Sequence, residues 1–328
     1  MNRSLSTLLM AALITALLLG GWEAYWRAQN YQPMLADDMD LWAQFRHRVA
    51  GQDMDHNLTV IGASRIQLAW SPAEFAHQQP GWQSTSLAIN GHYPGAILFD
   101  LAADEDFTGR LLMAVDARGL SHWYQDMAEP YVRHYRRDYG PQRKLERRLL
   151  SRLQMRLVLA GADFNLVRRL AGGIDGHPPY RPYITFLPDR TIAADFDQAD
   201  VEALRAGFAE GLAESYQAHP APEPDRWLAD LAPVLEAIET IQARGGQVVV
   251  LRMPTSDKHW ALDEQNFPRA EYWDRFAEIT SAHTVHFHDW PALAELETPD
   301  TSHIAQSDRP VFTAALVEIL RELGVLPE

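Results

Sequence analysis

Cysteine is absent from the 328-residue chain, so there is neither a disulfide framework nor a thiolate, and any nucleophile must be an oxygen or a nitrogen. That composition suits a cell-envelope protein that manages without disulfides. Basic residues are outnumbered: 29 Lys and Arg stand against 44 Asp and Glu, a formal charge of −15, which argues against a nucleic-acid partner. Gly-x-Ser-x-Gly is missing, which argues against an α/β-hydrolase. A phosphate-cradling glycine loop and a dinucleotide fingerprint are missing too, which argues against nucleotide cofactors. Beyond residue 22 no stretch is long and apolar enough to span a bilayer.

One such stretch is present at the amino terminus. Ser4 to Trp22 carries no charge over 19 residues, close to the roughly 20 that a spanning helix needs. Arg3 precedes it, which favours a cytoplasmic tip and sends the remainder across the membrane. Trp22, Tyr25 and Trp26 resemble an aromatic belt at the far interface. A cleaved signal peptide is the competing reading, but the run is long for one and no clear Ala-x-Ala site follows. The expected organisation is a tip and anchor over 1–27, a juxtamembrane helix and linker over 28–57, and one α/β domain over 58–328.

In that domain, strand-like runs at 58–64, 85–90, 110–117, 246–254 and 284–290 alternate with helical spacing. Ser71 to Glu74 reads as a capping box with Pro72 at the first helical position. Near-continuous apolar strands alternating with helices predict a three-layer αβα fold around a five-stranded parallel sheet, with ligands at the carboxyl ends of the strands. Residues 120–225 break the rhythm and are expected as a helical insertion. Nine of residues 133 to 156 there are Lys or Arg, and leucines stand at 145, 149, 150 and 153. This pattern suits a helix resting on anionic lipid, or the arrangement expected here, leucines packed on the domain and arginines in water.

Ser64 stands just past the first strand, where parallel sheets place their sites. Near the other terminus, Asp300 and His303 are three apart in a loop, a spacing that lets a carboxylate fix the tautomer of an imidazole facing a serine from elsewhere. Arg65 and Arg252 are candidates to contact an anionic group of a substrate, though such arginines more often pair with a local carboxylate. His283, His286, His288 and Asp289 invite a metal reading, but no third ligand is convincingly placed. Surface histidines on an edge strand explain them better, so no metal is expected.

Gly62-Ala63-Ser64, Asn90-Gly91 and Asp300-Thr301-Ser302-His303 together resemble the SGNH/GDSL hydrolase superfamily. The likeness is closest to its membrane-anchored envelope members, relatives of proteins that work beside membrane-bound O-acyltransferases on cell-surface polymers. It covers about residues 55–118 and 246–325. It implies Ser64 as nucleophile, His303 as general base and Asp300 as the residue orienting it, with the N–H groups of Ser64 and Gly91 as oxyanion donors. The family's Gly-x-Asn block is missing where the sequence reads "VDARGLSHW", and Asn90 is the candidate to reach the same space. His92 and Tyr93, beside Gly91, are expected at the rim. The implied protein is a single-pass inner-membrane serine esterase or O-acyltransferase with its domain in the periplasm. Its substrate would be an acylated polysaccharide or other acyl ester, and no cofactor is required. The alternative is a catalytically idle scaffold for a membrane-bound O-acyltransferase.

Overall fold

The computed structural model describes residues 3–29, 31–51, 53–161 and 183–328. Five parallel strands form the central sheet: β1 (Asn57–Ile61), β2 (Gln83–Ser86), β3 (Arg110–Ala114), β6 (Gln247–Arg252) and β7 (His283–His286), in the order β2-β1-β3-β6-β7. A separate antiparallel hairpin is made by β4 (Ile184–Phe186) and β5 (Ile192–Ala194). The apolar runs of β1, β3 and β6 become strands because alternate residues find a core on each side, whereas β2 reads Gln-Ser-Thr-Ser and takes only Thr85 and Ser86 from the run expected at 85–90. Ile61, Leu111, Met113, Val248 and Val250 enter one cluster, while Leu58, Val60, Leu112, Val249 and Leu251 enter the other. Helices cover both faces, hence the near-continuous apolar runs of β3 and β6. Each such side chain contributes about 1.5 to 3 kcal/mol on burial. Taken in chain order within the sheet, the arrangement is 2-1-3-4-5, whose switch point falls between β1 and β3 and opens a crevice at their carboxyl ends.

The helix Arg3–Ala28 is long and apolar enough to cross a membrane, and its Leu8, Leu13, Leu17 and Leu18 are exposed. The stretch expected as juxtamembrane helix and linker is instead built into the domain. Trp42, in the helix Met39–Val49, is fully buried and donates its indole N–H to Leu87 O at 2.9 Å. On the same helix Arg46 pairs with Asp100 at 2.5 Å and Asp104 at 2.6 Å. Ser71 caps its helix as expected, accepting from Glu74 N. Glu74, however, turns to Gln78, so only half of the capping box forms.

The described parts of the interval 120–225 are largely helical and also hold the β4–β5 hairpin, which the apolar spacing did not mark. Each of its strands is three residues long, too short for periodicity to register. At its turn Arg190, fully buried, bonds Asp37 through two nitrogens at 2.6 and 3.0 Å and donates to the carbonyls of Ser86 and Ala88. Of the Gly- and Pro-rich piece at 171–183, all but Tyr183 lies outside the described residues.

Candidate active site

Gly62 ends β1 because no larger residue fits. A Cβ there would lie 2.5 Å from Ile66 Cγ2 and 2.9 Å from Ala114 O, with φ at 154°. This close approach lets the chain turn at once into the helix Ser64–Ala69, with Ser64 as its first residue at the β1/β3 crevice. The other half of the site comes from the loop after β7. Asp300, fully buried, accepts at Oδ1 from the amides of Ser302 (3.0 Å) and His303 (2.7 Å), and at Oδ2 from His303 Nδ1 (2.8 Å). Thr301, inside this turn, holds φ at 73°, a left-handed value that is unfavourable for a β-branched residue and is stored within the loop. In the tautomer that carries its proton on Nδ1, toward Asp300, His303 turns Nε2 to Ser64 Oγ at 2.8 Å, placed to accept from that hydroxyl. Residues 239 apart in sequence are thus joined in one chain of hydrogen bonds. Burial works to raise the Asp300 carboxyl, but the bond and charge of His303 and the two amides outweigh it and hold it below the usual range.

A cavity of about 190 Å³ opens over Ser64, lined among others by Gly91, Tyr93, Phe208 and His303. Gly91 has φ at 74°, the left-handed conformation that suits glycine, and its Cβ position is open space. Phe208 comes from the insertion helix Val201–Ala218 and stands 5.3 Å from the His303 ring, so the insertion supplies one wall. Sequence reading did not select Phe208, and nothing in helical spacing separates it from a core residue.

Arg65 lines the cavity, and each of its three nitrogens is engaged: Nη1 with Asp116 at 2.7 Å, Nε with Ser302 Oγ at 3.1 Å, and Nη2 with His259 Nε2 at 2.6 Å. It braces the Ser64 turn against the Asp300 loop. His259 must accept from a guanidinium, so it is neutral. Burial, then Arg65, Arg252 and Arg118, push it down to about 2. Asp116 stands in the stretch that lacks Gly-x-Asn. It caps the next short helix through Gly119 N and accepts from Tyr93 Oη at 3.2 Å. Burial opposes its charge, but Arg65, Arg118 and Arg252 hold it far below the usual carboxylate range. It is therefore an ionised acceptor, not a neutral donor. Tyr93 lines the cavity, as expected of a rim residue, whereas Asp116, Arg118 and His259 were missed, because segments far apart in sequence bring them together.

His92 lines the cavity, its Nδ1 donating to Asn90 O at 2.9 Å. Asn90 itself is exposed and outside the cavity lining, so it does not stand in for the missing donor. Arg252 also turns away. It is buried, paired with Asp263 at 2.6 Å and bonded to Met253 O and Thr255 Oγ1, behind the Ser64 cavity rather than in it. Its partner lies on the next helix, so the local carboxylate reading holds. In the carboxyl-terminal histidine group, His286 is buried against Trp260 and Phe287 rather than on the surface, and Asp289 pairs with Arg269. Among the described residues no group of three His, Cys, Asp or Glu is arranged to hold a metal ion.

Compared with protein-family models and with curated proteins, the chain matches none.

Proposed function

We propose that the protein is a membrane-anchored serine esterase or O-acyltransferase of SGNH type, acting in the periplasm on acyl esters of a cell-envelope polysaccharide. One observation carries the reading: Ser64 Oγ, His303 and Asp300 stand in line at 2.8 Å and 2.8 Å across a sheet crevice. Ser64 Oγ attacks the ester carbonyl while its proton passes to His303 Nε2. The amides of Ser64 and Gly91 hold the oxyanion, and the leaving alcohol takes the proton from His303 as the acyl group stays on Ser64. Water then releases the acid, or a sugar hydroxyl takes the acyl group. At about 190 Å³ the cavity falls below the roughly 300 Å³ at which sites for drug-sized ligands begin. It suits a short acyl group with the polymer outside.

Asp116 supports a second reading. A carboxylate replaces the family's neutral donor, as expected of an idle scaffold that partners a membrane-bound O-acyltransferase. The two are separated by treating the full-length, detergent-solubilised protein with a fluorophosphonate probe. Labelling that vanishes in Ser64→Ala and drops sharply in His303→Ala supports the enzyme. A wild-type protein that takes no label discards it.

A further inference from the structure

The leucines of the basic helix Pro141–Gln154 do not pack on the domain. Leu145, Leu149 and Leu153 are 60%, 52% and 51% exposed, and at spacings of four they form one row on one face. The helix cannot roll to bury them. On its opposite side Arg147, almost fully buried, donates to Asp38 at 2.8 Å, to Gln154 Oε1 at 2.8 Å and to Ser151 Oγ at 3.1 Å, which fixes the rotation. Arg148, Arg152 and Arg156 are exposed along the row and form no ion pair among the described residues. Glu146 is the acidic residue beside them.

The same segment is tied to the foot of the apolar amino-terminal helix. The amides of Val158 and Leu159 donate to Glu23 at 2.8 and 3.1 Å, Arg27 donates to Arg156 O, and Trp26 packs with Tyr31 and Val158. The 14-residue helix is about 20 Å long at 1.5 Å per residue, so the leucine row lies near the point where the chain would leave the lipid. We propose that this face lies on the membrane, leucines in the acyl boundary and arginines on anionic headgroups, so that the domain is held against the bilayer at a fixed attitude. This surface is separate from the Ser64 site. A second copy docking face to face would set these arginines against one another, whereas an anionic leaflet complements them.

Because the chain has no cysteine, single nitroxide labels can be placed cleanly on the full-length protein. Leu149→Cys is compared with Leu13→Cys in the anchor and with Val311→Cys, 56% exposed on the helix Arg309–Glu322. Each is reconstituted alone into vesicles with or without phosphatidylglycerol. The expected result is an oxygen-over-nickel-chelate accessibility ratio at 149 several-fold above that at 311 when phosphatidylglycerol is present. It falls in the Arg148→Glu/Arg152→Glu background while the Leu13 label stays lipid-protected. A label at 149 as open to the chelate as that at 311, with Leu13 protected, overturns the proposal. So does protection that ignores the anionic lipid, or protection that appears only in native membranes, where a protein partner would supply it. An exposed label at Leu13 removes the anchor and the proposal together.

Discussion

Asp300 performs two tasks with its two oxygens: Oδ1 closes the turn through the Ser302 and His303 amides, and Oδ2 fixes the His303 tautomer. Asp300→Asn keeps the shape and an acceptor for the turn, but its amide can donate to Nδ1 and so move the ring proton to Nε2, where it can no longer take the Ser64 proton. On the proposed mechanism the rate of fluorophosphonate labelling should fall by up to about 10⁴, with the thermal midpoint changed far less. A loss confined to stability would place Asp300 in the fold alone. Asp300 and His303 were legible by their three-residue spacing in a loop. Ser64 was legible because a reactive side chain stands at the end of an apolar run, which is where a parallel sheet collects side chains. Arg252 meets the same criterion and misleads. What separates it from Arg65 is Asp263 on the following helix, a pairing made by packing that leaves no local pattern.

At the scale of elements, strand order and layers follow from the apolar runs, because a strand buried on both faces has few alternatives to a parallel sheet under helices. The role of residues 31–49 was hidden, since Asp37 and Arg46 look like surface charges until Arg190, Asp100 and Asp104 are brought to them. Arg190 joins the hairpin, the segment before the helix Met39–Val49, and the carbonyls at the end of β2. Arg190→Ala leaves Asp37, 5% exposed at its side chain, buried without its partner. The cost expected for breaking such a pair is about 3 to 5 kcal/mol, read as a lowered urea midpoint. Arg190→Ala/Asp37→Ala should recover a substantial part of it. Equal loss in the single and double variants would place the stabilisation in the carbonyl bonds instead.

For the whole molecule, two buried imidazoles set the response to acid. His259 is pushed down to about 2 by burial first and then by Arg65, Arg252 and Arg118. His286 is pushed down to about 2 by burial, then Arg269, Arg252 and His288. Both are neutral in the folded chain throughout the working range, while in the unfolded chain each takes a proton below pH 6.5. The unfolded state therefore binds more protons than the folded one, and stability falls as pH drops below about 6.5, by up to about 1.4 kcal/mol per pH unit for each group. Asp300 and Asp116, both held below their ordinary values, act in the same direction only below about pH 4. Between pH 7.5 and 5 the histidines should thus dominate, and the urea midpoint of the full-length protein should fall steeply. His259→Gln retains an amide oxygen to accept from Arg65 and removes one titration, so its midpoint should change less over that interval, even if it begins lower at pH 7.5. An unchanged slope in this variant would mean that the acid response arises outside the Arg65 cluster.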